Sequence, residues 1–107
     1  AKARDARRLS DIKQIRTALD MYYDSSSTYP LSCSPLGTST CACLTSVGWT
    51  NTANCTGTIF MQKVPSDPLS SGAYVYTQTS SGQSYTIDYR LEANSSTSTA
   101  NPSSMGN

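Results

Sequence analysis

The chain has 107 residues and a formal net charge of +1. Leu, Ile, Val and Phe together number 15, against 33 serines and threonines; with so little net charge, that composition describes a folded domain with a thin core rather than a disordered one. The absence of histidine excludes His-based acid–base catalysis, the Ser–His–Asp triad and His-ligated metal sites, and seven carboxylates against eight basic residues support neither a polyacidic cation store nor a nucleic-acid footprint.

Residues 1–24 carry the strongest periodicity. Leu9, Ile12, Ile15, Leu19, Tyr22 and Tyr23 recur at three- and four-residue steps and form one apolar stripe, which predicts an amphipathic helix. Ser25-Ser26-Ser27 and the Tyr29-Pro30 pair predict its end near Asp24. Its beginning is unusual. Lys2, Arg4, Arg7 and Arg8 occupy the first two turns and Asp20 and Asp24 the last, against the helix dipole at both ends, and there is no N-cap residue. Asp5 and Arg8 interrupt the apolar stripe, so the first two turns are expected to be polar all round and to project beyond the core. We expect the natural helix to continue upstream of Ala1. Residues 1–20 carry a net +3 and the remainder −2. Nucleic-acid or anionic-lipid binding by the basic end is disfavoured, because local pairs (Arg7 with Asp11, Arg16 with Asp20, Asp5 with Arg8) balance half of it. No run of about 18 apolar residues occurs, so none of these residues forms a spanning helix.

Residues 25–63 read as a polar helix-to-sheet loop region containing Cys33, Cys41, Cys43 and Cys55. An even count in a small Ser/Thr-rich chain points to disulfides and an oxidising compartment. A four-thiolate zinc site is the rival, but a lone Cys-Ala-Cys between two distant partners lacks the paired knuckles of such sites. A Cys41–Cys43 bridge would close a strained ring. That leaves Cys33–Cys41 with Cys43–Cys55, or the crossed Cys33–Cys43 with Cys41–Cys55; the former is the expected pairing. Trp49 is the surface-recognition candidate of this region, able to bind a sugar or a partner if exposed. The favoured reading makes it the apolar plug of the cysteine loop. Residues 57–64 form a second apolar run, a short helix or strand.

Residues 64–92 predict a turn at Pro65-Ser66-Asp67-Pro68 and two strands, 74–78 and 84–91, joined at Ser80-Ser81-Gly82-Gln83. Tyr85, Ile87, Tyr89 and Leu91 share one strand face and are expected to cover Leu9, Ile12, Ile15 and Leu19. Asp67 is expected to hold its turn through the local backbone rather than to bind a cation or a neighbouring subunit. Residues 93–107 have little to bury and read as a loosely attached tail. Asn54 and Asn94 each begin a glycosylation sequon, a pattern that arises easily by chance in such a composition.

These elements predict one α+β domain over residues 1–107: a long N-terminal amphipathic helix packed on a small antiparallel sheet, an α+β roll with a disulfide-braced helix-to-sheet loop. The string from Ala3 through Leu19, followed by Tyr22-Tyr23 and Tyr29-Pro30, resembles the second half of the long helix of type IV pilins and type II secretion pseudopilins. Val64-Pro65-Ser66-Asp67-Pro68, then Tyr74-Val75-Tyr76 and Tyr85-Thr86-Ile87, resembles their sheet region. The resemblance implies a non-enzymatic structural subunit without cofactor. Its partners would be other subunits of a cell-surface filament and the export and assembly machinery, with membrane anchoring through an apolar helix half upstream. The favoured expectation is a type IV pilus-like subunit, serving adhesion, motility or DNA uptake. A secretion pseudopilin is the alternative within the family, and a secreted disulfide-stapled binding module the alternative outside it. Within the filament reading, Arg4, Asp5, Arg7, Arg8 and Asp11 are the subunit-interface candidates. The principal pseudopilin of such systems binds calcium through acidic C-terminal residues; residues 93–107 contain no acid, so no metal site is carried over.

Overall fold

A computed structural model describes residues 2–69, 72–92 and 94–103. Helix α1 spans Lys2–Ser26. It runs two residues past the expected stop and ends where Ser27 turns to a positive φ of 60° while donating its N–H to the Tyr23 carbonyl at 2.7 Å. Six strands follow: β1 (Cys43–Thr45), β2 (Gly48–Thr50), β3 (Ile59–Met61), β4 (Val75–Thr79), β5 (Ser84–Leu91) and β6 (Asn94–Ala100). They form two antiparallel sheets, ordered β2-β1-β3 and β4-β5-β6. No described helix is long and apolar enough to cross a membrane.

The α+β class and the helix-on-sheet core agree with the sequence. Ile12, Ile15, Ala18, Leu19 and Tyr22 of α1 are buried with Tyr76 of β4 and Tyr85, Ile87 and Tyr89 of β5. Leu91 packs at the edge of that core. Leu9 does not join it and is 36% exposed, because the residue that enters the core's N-terminal margin is Arg8. Tyrosines fill much of the interior. Tyr29 stacks edge-on to Tyr85 with centroids 4.8 Å apart, and Tyr76 donates its hydroxyl to the Pro30 carbonyl at 2.8 Å. A ring of this size buries a large apolar area provided its hydroxyl finds an acceptor.

Two expectations are corrected. Residues 25–63 are not an unstructured loop: they contain the β1–β2 hairpin and β3, in register Leu44↔Trp49 and Leu44↔Met61. These three-residue strands are too short for sequence alternation to reveal. The disulfides Cys33–Cys41 and Cys43–Cys55 tie this small sheet to its flanks, each with Cα atoms 6.2 Å apart. The segment entering it lies along β4, where the Cys33 N–H reaches the Tyr76 carbonyl and the Leu36 N–H the Tyr74 carbonyl, at 3.3 and 2.9 Å. Nor is the whole of residues 93–107 a loose tail. β6 pairs with β5 in register Ile87↔Ala100 and Tyr89↔Ser98. Its contribution is the backbone ladder more than side-chain burial: Ser98 and Ala100 face inward, and the Thr99 hydroxyl donates to Asp88 at 2.9 Å. Residues 104–107 of the predicted tail, and Asn94 as a glycosylation site, lie outside the described side chains.

Candidate functional site

The first turns of α1 were expected to be polar on every side and free of the core. The structure overturns this. Arg8 is 2% exposed, and its guanidinium is gripped by acids from three places in the chain. Nη1 donates to Asp5 Oδ1 at 2.7 Å and to Glu92 Oε2 at 2.9 Å, while Nη2 donates to Asp67 Oδ1 at 3.0 Å. Nε faces both Asp67 oxygens at 3.2–3.3 Å. Three elements therefore meet at one side chain: α1, the turn before β4 and the residue after β5. The planar fork of an arginine suits such multidentate gripping, which a lysine could not reproduce.

The surrounding groups reinforce it. Arg4 Nη2 donates to Glu92 Oε1 at 2.7 Å, alongside a second bond from its Nε. The Glu92 N–H donates to Asp5 Oδ1 at 2.7 Å. Asp67 does hold its own turn, accepting the Leu69 N–H at 2.8 Å, as expected; the sequence did not show that it also receives Arg8. Gly72 permits this approach, since a Cβ there would sit 2.5 Å from Asp67 Oδ2. One helical turn on, Asp11 accepts the buried Tyr74 hydroxyl at 3.0 Å and pairs at 3.7 Å with Arg7.

Electrostatics follow the geometry. The Asp67 carboxylate, helped by Glu92 and Asp5, holds Arg8 more firmly protonated than an ordinary arginine against the opposing effect of burial. Bonds from Arg4 hold the Glu92 carboxyl far below the usual carboxylate range. Burial pushes Asp11 up, opposed by the Tyr74 hydroxyl and by Arg7. Burial, then the Asp11 contact, raises Tyr74.

Of the five interface candidates, Asp5, Arg8 and Asp11 are thus buried and engaged within the chain. Arg4 is half-exposed and bound to Glu92. Arg7, with 59% of its side chain exposed, is the most open of them. The local pairs Arg7–Asp11 and Arg8–Asp5 form, but no Arg16–Asp20 ion pair does among the described residues; Arg16 Nη2 instead reaches the Pro102 carbonyl at 3.4 Å. Glu92 and Tyr74 are the members that sequence reasoning missed. Glu92 is the chain's one glutamate, at the end of an otherwise weakly charged hairpin, and that isolation was the available signal. Trp49 is half-buried and meets Tyr76 edge-on at 5.1 Å, which fits the plug reading for its inner edge.

A helix locked by its polar end to a sheet, with disulfides bracing the helix-to-sheet connection, defines an α+β domain with a single N-terminal helix on antiparallel sheets. The family model for type II secretion system protein G matches residues 1–102, and the chain belongs to that family of structural pseudopilins. No curated protein and no solved structure matches significantly.

Proposed function

We propose that the chain is the head of a structural subunit of a type II secretion pseudopilus, assembling with further copies of itself in the cell envelope and acting with the export apparatus rather than as an enzyme. The observation that carries this reading is the family match over residues 1–102, nearly the full chain. The geometry supports it: the Arg8 cluster fixes α1 to the sheet, so force or docking at the helix is transmitted to the head as one body. The whole of residues 1–107 then acts as a single domain. Arg7, and to a lesser degree Arg4, are the subunit-facing charges. The test is deletion of the gene in its host, followed by complementation. Loss of type II substrates from the medium, restored by the intact gene, is the expected result. Normal secretion with loss of surface pili would replace this reading with the type IV pilus one. The acid-free stretch 93–107 favours that second reading, since it lacks the carboxylates that a calcium-dependent pseudopilin would use.

A further inference from the structure

Away from the arginine cluster, a cleft of about 380 Å³ opens between the end of α1 and the disulfide-braced hairpin. Tyr22, Tyr29, Leu31, Val47, Trp49 and Gln78 are among its lining residues, and none of the lining residues is charged. We propose that this cleft binds a neutral saccharide, with Trp49 as the stacking platform.

Four observations support this. The first is an unused polar group. The Trp49 indole Nε1 is buried with no hydrogen-bond partner among the described residues, and the Tyr22 hydroxyl, in the same lining, lies 4.0 Å from where a Cβ on Gly48 would stand. A buried N–H donor in a cleft wall without a protein partner is a place for a ligand's oxygen or for water. The second is spare capacity on two neighbours. Gln78 spends its Nε2 on the Tyr29 carbonyl at 2.7 Å, which leaves its Oε1 as an acceptor. Ser32 accepts the Gln78 N–H at 2.9 Å, which leaves its own O–H to donate. A ligand that carries both donors and acceptors matches this set.

The third is the apolar complement. Leu31 and Val47 stand 76% and 82% exposed at the rim beside the Trp49 indole. Sugar rings present hydroxyls at their edges and weakly positive C–H groups on their faces, which an electron-rich aromatic face attracts. The absence of charge in the lining argues against a carboxylate, phosphate or cationic ligand, none of which would find a counter-ion there. The fourth is rigidity. Gly48, at φ +108°, opens the wall where a side chain would close on Pro30, and the Cys33–Cys41 and Cys43–Cys55 bridges fix the two sides of the cleft. A site held in shape before binding loses less entropy when it binds.

The test uses the full chain, isotope-labelled, titrated with cellohexaose, chitohexaose and maltohexaose in separate arms, and with a neutral Leu-Pro-rich peptide in a fourth. Saturable amide shifts centred on Trp49, Tyr22 and Gln78 with at least one saccharide are expected. Trp49→Ala should abolish them, and Tyr22→Phe, which keeps the ring, should weaken binding about tenfold. If Trp49→Ala does not fold, Tyr22→Phe together with the shift map still decides. No saturation by about 10 mM, shifts centred elsewhere, or binding by the peptide alone would each overturn the saccharide assignment. None of these outcomes depends on whether the chain assembles into a filament.

Discussion

Replacing Arg8 with Met tests whether the polar cluster is a structural clamp. The side chain is 2% exposed, so its removal strands the carboxylates that face it rather than returning them to water. Their environments set the size of the effect. The Asp67 side chain is 3% exposed and Asp5 12%, whereas Glu92 is 26% exposed and can rehydrate. Breaking a buried pair costs about 3–5 kcal/mol. Both buried acids keep a backbone N–H, from Leu69 and Glu92 respectively, which places the expected loss near the low end, about 3 kcal/mol. For a domain of this size that corresponds to a fall in Tm of roughly 12–24 °C. Asp67→Asn retains the acceptor for Leu69 but removes the stranded charge. In Arg8→Met/Asp67→Asn the two losses should therefore not add, with a coupling of about 1.5–3 kcal/mol. Urea titrations followed by circular dichroism on all four proteins provide the cycle. A loss below about 0.5 kcal/mol for Arg8→Met, or strict additivity in the double variant, would make these contacts equivalent to exposed ion pairs and refute the clamp.

Three further outcomes are expected. Ile12→Ala and Ile87→Ala, both at fully buried positions, should each cost about 2–4 kcal/mol in denaturant titrations; under 0.5 kcal/mol at both would mean that α1 and β5 share no core. Glu92 has a lowered folded pKa, so its stabilisation is present above its ordinary value of about 4.5 and is lost as pH falls below it; Asp11 has a raised one, so stability is regained as pH falls through its folded pKa toward about 3.8. Glu92→Gln should accordingly flatten the acid limb of a stability–pH curve, while Asp11→Asn should remove the opposing gain; unchanged curves for both would contradict the assigned shifts. Arg7→Gln should change head stability by no more than about 0.5 kcal/mol while reducing filament assembly in cells, and normal assembly would remove Arg7 from the interface.

The helix stripe, the two long strands and their turn were legible because each repeats its pattern long enough to show a period. Ile12, Ile15 and Leu19 recur over two turns, and Tyr85, Ile87 and Tyr89 alternate over a strand of eight residues. β1, β2 and β3 each have three residues, fewer than an alternation needs; a disulfide tethers β1 at Cys43, and Phe60 of β3 packs edge-on against Tyr22 of α1. β6 escaped for a different reason. Five of its seven residues are serine or threonine, so composition suggested a tail, whereas the free edge of β5 needed only a backbone to pair with. Cysteine spacing carried more: the adjacent-pair ring was disfavoured by strain, and the consecutive bridges that remained favoured are those present.

The arginine cluster shows where one-dimensional reading stops. Within a helix, Asp5 and Arg8 are neighbours and their pairing can be read directly. Asp67 and Glu92 lie 59 and 84 residues from Arg8, and nothing local marks them as its partners. The same unfavourable placement of cations in the first turns that suggested an external partner is satisfied by the chain's own acids. This divides the basic residues into two kinds. Arg8 is consumed by the fold, and Arg4 is half committed to Glu92, so reversing either would damage the head before it could report on assembly. Arg7 pairs only at 3.7 Å and stays largely in solvent. In the proposed filament, a charge that contributes so little to its own fold, on a helix that the sheet holds rigid, is the one expected to be recruited by a neighbouring subunit without destabilising the head it belongs to.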